Sequence, residues 1–108
     1  PWGRYVNLFE GKSFLVKELI VKAKSSISLQ KHHHRSEHWM ITQGKPKITI
    51  NKNKFYKKPF ESVFIPTGAI HRIENKFKKP VKILEIQTGP ILKETDIVRY
   101  QDIYGRIK

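Results

Sequence analysis

Apolar and polar positions along this chain alternate in short runs, and turn residues separate the runs. Phe14 to Lys22 is β-branched and apolar with imperfect alternation, Lys47 to Asn51 reads KITIN, and Ser62 to Ile65 is a short apolar stretch. Val81 to Gln87 alternates again. Such patterns predict strands with one face buried. Further strands are expected in the first nine residues, where Tyr5 and Leu8 would pack on the body, over Ile27–His34 and Glu37–Thr42, at Phe55–Tyr56 and over His71–Glu74. Turns fall at Glu10-Gly11-Lys12, Ala23–Ser26, Gln43-Gly44-Lys45-Pro46, Asn51–Lys54, Pro66-Thr67-Gly68 and Asn75–Pro80. Glu94 to Tyr104 predicts a short helix, with Thr95 as its cap and Ile97, Tyr100 and Tyr104 as its apolar stripe. Strand signals recurring every ~8–12 residues indicate an all-β sandwich or small barrel.

The 108 residues make room for one domain with one core, and no linker, repeat or low-complexity segment divides them. Cysteine is absent, which excludes disulfides and suits the cytoplasm. No apolar run approaches the roughly 20 residues a membrane helix needs. A net charge of +13 invites a nucleic-acid reading. Most of the basic residues, however, are lysines scattered through turns such as Asn51–Lys58 and Lys76–Lys79, and no nucleic-acid motif accompanies them. A lysine-rich compositional bias is the plain reading of this charge, and a modest gain in attracting a phosphorylated substrate is compatible with it. A start at Pro1 without methionine reads as a processed product or as a piece of something longer.

Chemistry concentrates between Ser28 and Gly44, SLQKHHHRSEHWMITQG. In an extended strand Gln30, His32 and His34 would share a face, and after a bend at Arg35–Ser36 a second strand would carry Glu37, Trp39 and Ile41. Imidazole, carboxylate and amide oxygen converging from neighbouring strands suit a borderline divalent metal. The plain alternative is a solvated polar loop. A second stretch, IPTGAIHRIEN from Ile65 to Asn75, brings His71 to the start of a strand after a Pro-Thr-Gly turn.

Together the two stretches resemble the paired motifs of the cupin superfamily, G(x)5HxH(x)3–4E(x)6G and G(x)5PxG(x)2H(x)3N. Glu37 and Gly44 keep the first spacing, and Pro66, Gly68, His71 and Asn75 fit the second. The spacing to Glu37 favours Gln30 and His32 in the HxH positions, so the resemblance implies Gln30, His32, Glu37 and His71 as ligands and leaves His34 outside. Two departures stand out: Lys24 and Phe60 occupy the leading glycine positions. The wording QKHHHRSEHW, with PWGRY before it and EIQTG and DIVRYQDIYGR after it, is similar to the type II mannose-6-phosphate isomerases over essentially the whole chain.

That resemblance implies a cupin-type double-stranded β-helix, a jelly-roll barrel, spanning residues 1–108. It implies a zinc, cobalt, manganese or iron ion and interconversion of mannose 6-phosphate and fructose 6-phosphate through a cis-enediol. Fusion to a guanylyltransferase domain and a homodimer are further expectations of the family. Arg35 would steady the enediolate or bind phosphate; a surface arginine in a bend is its alternative. The general base stays open between His34, His38 and Glu85. His34 reads equally as a surface residue, His38 as an outer-layer histidine, and Glu85 as a cross-strand partner of lysine. A rival class is a non-catalytic module that binds a sugar phosphate or nucleotide sugar within a larger transferase. Trp39, Phe64 and Ile73 are expected in the core. Asp96, Arg99 and Asp102, three apart on a helix, would pair with one another.

Overall fold

The computed structural model describes residues 1–101. Ten strands occur among them: β1 Gly3–Glu10, β2 Phe14–Val21, β3 Leu29–Lys31, β4 Ser36–Gln43, β5 Lys47–Ile50, β6 Asn53–Tyr56, β7 Ser62–Ile65, β8 His71–Glu74, β9 Val81–Thr88 and β10 Val98–Gln101. They form two five-stranded sheets, ordered β1-β2-β9-β4-β7 and β10-β3-β8-β5-β6, with every pairing antiparallel. Apart from the hairpins β1–β2 and β5–β6, consecutive strands alternate between the sheets, and the apolar faces meet in the middle, as in a jelly roll.

The inward positions of the first sheet change character along the strands. Leu19, Ile83 and Ile41 lie side by side in register across β2, β9 and β4. One inward row further on lie Lys17, Glu85, Trp39 and Val63, and one beyond that Leu15, Gln87, Glu37 and Ile65. The opposite sheet follows the same gradient, since Ile73 is packed in the core while His71, two residues earlier on β8, opens onto a cavity. One end of the sandwich is therefore an apolar core and the other a polar, half-enclosed site. Burying the apolar end supplies the cohesion that lets so many polar side chains be held out of water at the other.

The second motif works structurally as well. Asn75 is buried and its amide donates to the carbonyls of Val21, Lys22 and Lys79, while its oxygen accepts the N–H of Phe77. This ties the 75–80 loop to the turn after β2. Gly68 has φ +82, a left-handed conformation open to glycine, and its N–H donates to the carbonyl of His32 at 3.0 Å. The Pro-Thr-Gly turn thus locks onto the histidine run.

Three expectations change. The C-terminal helix does not form over 94–101: a turn at 94–96 leads into β10, whose Val98 and Arg99 pair with Lys31 and Gln30 of β3. The unpaired edge of β3 competes successfully with a weak local helix signal. Tyr104 and Asp102, the rest of that helix and of its charge set, lie outside the described residues. Phe64 is 51% exposed on the outer face of β7, and Tyr5 and Leu8 are exposed on the edge strand β1. Trp39 and Ile73 are buried as expected.

Candidate metal centre

Strand β3 ends at Lys31, and His32 swings inward at the start of the connection to β4. Asp96 holds this connection. Its carboxylate accepts the backbone N–H groups of His33 and His34, each at 2.9 Å, and its carbonyl accepts Nδ1–H of His32. Glu37 enters from β4 and His71 from β8. Their ligand atoms and that of His32 lie within 4.8 Å of one another, and all three residues are almost fully buried.

Each imidazole is oriented by a carbonyl. His71 donates Nδ1–H to Ala69 at 3.0 Å, as His32 does to Asp96. Both rings therefore present the Nε2 lone pair to the cavity. Glu37 accepts from the indole of Trp39 at 2.8 Å through one oxygen and from Arg35 Nε at 2.9 Å through the other. Arg35 also donates through Nη2 to His32 Nε2 at 3.0 Å. Burial lowers the His32 pKa to about 4, against the raising effect of Glu37, so the ring stays neutral at ordinary pH. Burial alone would push Glu37 up, but the hydrogen bond from Glu85 and the charges of His71, Arg35 and His32 bring it down to about 2. Glu85 moves the opposite way. Burial and the Glu37 charge raise it well above the usual carboxylate range, so Glu85 keeps the proton that this pair shares. Gln87 Nε2 donates to Glu85 at 3.2 Å.

The cavity, of about 150 Å³, is lined by Gln30, His32, Arg35, Glu37, His71 and Glu85, among others. Gln30 meets the cluster by its amide nitrogen, 3.5 Å from His32 Nε2, while its oxygen accepts from Ser28 at 2.8 Å. Arg35 is buried, at 6% exposure, and is no surface bend residue. His34 and His38 are not brought to the cavity. The loop held by Asp96 turns His34 outward, where it lies half-exposed with Nδ1 3.3 Å from that carboxylate. Strand alternation sends His38 to the outer face of β4, against the ring of Phe64 at 4.7 Å. Lys17 was not legible as a site residue. It is 3% exposed, pairs with Glu94 and sits over the ring of Tyr5. Its signal was a lysine at an inward position between Leu15 and Leu19.

The residues suit a divalent ion. Two imidazoles and a carboxylate form a borderline donor set, and the carbonyl bonds at Nδ1 are the orienting contacts such ligands use. Most telling is His71 Nε2, buried and without a hydrogen-bond partner among the described residues. A metal on His32 Nε2 would replace the bond from Arg35.

Residues 1–102 match the family described as mannose-6-phosphate isomerase, C-terminal. The chain is 43% identical over 106 residues to the alginate biosynthesis protein AlgA of Pseudomonas putida, covering 98% of this chain and 22% of that protein. It is 41% identical over 107 residues to mannose-1-phosphate guanylyltransferase ManC of Salmonella typhimurium, covering 99% and 22%. The chain thus spans about a fifth of the length of these relatives. Among solved structures it resembles a double-stranded β-helix protein of Klebsiella pneumoniae, with TM-score 0.79, 12% identity and coverage of 93% and 80%. It also resembles the cupin domain of Cnp3 from Schizosaccharomyces pombe, with TM-score 0.73, 24% identity and coverage of 80% and 64%. These likenesses identify the fold as the cupin type.

Proposed function

The chain belongs to the mannose-6-phosphate isomerase C-terminal family, and from that premise we propose that it interconverts mannose 6-phosphate and fructose 6-phosphate with the help of one divalent ion. The observation that carries the proposal is the convergence of His32 Nε2, a Glu37 oxygen and the unpartnered His71 Nε2 in a buried, half-enclosed cavity. These three residues would hold the ion, with Gln30 as a fourth donor after a half-turn of its amide. Bound there, a divalent ion polarises a carbonyl and steadies adjacent oxygens as negative charge develops.

The chain's own groups supply the rest. Trp39 and Arg35 fix the Glu37 carboxylate from both sides. Arg35, released from His32, offers two parallel N–H groups to an enediolate or phosphate, which a lysine cannot copy. Of the proposed bases, Glu85 alone lines the cavity; a divalent ion held beside it would favour its charged form, and as the carboxylate we assign it the proton moved between C2 and C1, with Gln87 positioning it. We take residues 1–108 as one cupin unit of a cytoplasmic guanylyltransferase, paired as a homodimer.

A second reading has an observation of its own. Arg35 already satisfies His32 and Glu37 in this structure. A cluster so closed suits a module that binds a sugar phosphate or nucleotide sugar without turnover. Assaying the chain with mannose 6-phosphate, before and after chelation and with zinc, cobalt, manganese and iron added back, separates the two. Turnover lost on chelation and restored by metal supports the isomerase. Absence of turnover with every metal, alongside binding of the sugar phosphate, supports the module.

A further inference from the structure

Four cations line the cavity, and three have acidic neighbours. Arg35 is held by Glu37, Lys17 pairs with Glu94, and Arg72 lies 3.6 Å from Glu74. Arg99 differs in having no acidic neighbour among the described residues, and its buried Nε has no acceptor among them. A guanidinium N–H withdrawn from water without an acceptor is costly, and a ligand that supplies one gains by relieving it.

Register places this arginine. Across β10, β3 and β8, Arg99 lies opposite Gln30, and Gln30 opposite His71. Residues paired directly in antiparallel strands project from the same face, and all three line the cavity. A register shift between Arg99 and Gln101 marks a bulge next to Arg99, a feature that re-aims side chains at the rims of sheets. Neighbouring strands lie about 4.8 Å apart, so the backbone of Arg99 is on the order of 10 Å from that of His71. A hexose 6-phosphate carries its phosphate at the end of the carbon chain away from C1 and C2. With C1 and C2 at the His32–Glu37–His71 cluster, the phosphate would extend along this row.

We infer that Arg99 is the phosphate-binding residue of the cavity, at the opposite end of the row from His71. The inference rests on the reading of the cavity as a sugar-phosphate site. The fork geometry of a guanidinium suits two phosphate oxygens, and burial of Nε makes the contact directional. Arg99 recognises the substrate and takes no part in moving the proton.

The test compares wild type, Arg99→Met and Arg99→Lys, each loaded with zinc and checked for folding by circular dichroism. Calorimetry measures binding of mannose 6-phosphate, mannose and inorganic phosphate, and steady-state kinetics are run alongside. Arg99→Met should weaken mannose 6-phosphate and inorganic phosphate by at least about tenfold while leaving mannose and bound zinc unchanged. Arg99→Lys should recover part of the phosphate affinity. In kinetics the loss should fall on KM more than on kcat. Unchanged phosphate affinity, or equal weakening of mannose and mannose 6-phosphate, overturns the inference. Should Arg99→Met fail to fold, Arg99→Lys decides by the same comparison. Arg99-dependent phosphate binding without turnover would remove the isomerase reading and leave this inference standing. Turnover with an unchanged KM in Arg99→Met would do the reverse.

Discussion

Replacing Phe60 by glycine should make the protein more stable, although it deletes an aromatic ring. Phe60 sits at φ +71 and is 78% exposed. Its Cβ is held in the left-handed region, which disfavours an L-residue by about 1–2 kcal/mol relative to its usual conformation. Glycine removes that strain, and the greater freedom of the unfolded chain takes back about 0.4–1 kcal/mol. The backbone N–H of Phe60 still donates to Ile41 at 2.6 Å, and so exposed a ring contributes little burial. The balance is a gain of about 0.5–1 kcal/mol, or a few degrees in Tm for a domain of this size. Lys24, at φ +56, should gain less, because glycine also loses the bond from its Nζ to the Lys76 carbonyl at 2.7 Å. Asn51, at φ +52, should not, because its Oδ1 accepts the N–H of Ile70 at 3.0 Å and glycine loses that bond. Urea denaturation of Phe60→Gly, Phe60→Ala and Asn51→Gly is the assay, with midpoints compared at constant m. Alanine keeps the strain and should be near neutral. If Phe60→Gly proves less stable than Phe60→Ala, the strain argument is wrong.

Arg35→Ala should lower turnover by roughly two orders of magnitude if the guanidinium contributes ~3 kcal/mol to the transition state. The same variant should bind zinc at least as tightly as wild type, because a cation leaves His32 and Glu37; steady-state rates and metal titration check both halves. Asp96→Asn should cost about 1–2 kcal/mol by weakening the acceptor of two backbone N–H groups, measured by urea unfolding. Burial pushes the Asp96 pKa up, but the N–H groups of His33 and His34 prevail and leave it below its ordinary 3.8. A depressed carboxylate stabilises the fold above its unfolded pKa, and the contribution is lost as pH falls through the folded one. The gap in stability between wild type and Asp96→Asn should therefore be full at neutral pH and shrink below about pH 4. A gap that widens in acid would contradict this assignment.

Much of this was legible in the sequence because period-2 alternation and turn chemistry are local properties. They place β2, β4, β5, β7, β8 and β9 to within two residues, and the motif spacing singles out His32, Glu37 and His71, which the structure brings together. Lys24 and Phe60, read as departures from the motif's glycines, sit at positive φ, so the motif records a backbone requirement that this chain meets under strain. What could not be read depended on distant partners. Residues 94–101 carried a helical pattern, but the open edge of β3 turned their last part into β10. The outward turn of His34 depends on Asp96, more than sixty positions away. Phe64 was misplaced because apolar residues occupy both faces of the first sheet, leaving the pattern without a preferred side.

The central claim is that His32, Glu37 and His71 together hold one divalent ion. The direct measurement is the zinc content of untagged protein, with calorimetric titration of the metal-free form, for wild type, His71→Ala and Glu37→Gln. The account predicts about one ion per chain in wild type and a loss of at least tenfold in affinity in either variant, with folding retained. Full metal content and unchanged affinity in both variants would place any metal elsewhere and contradict the account.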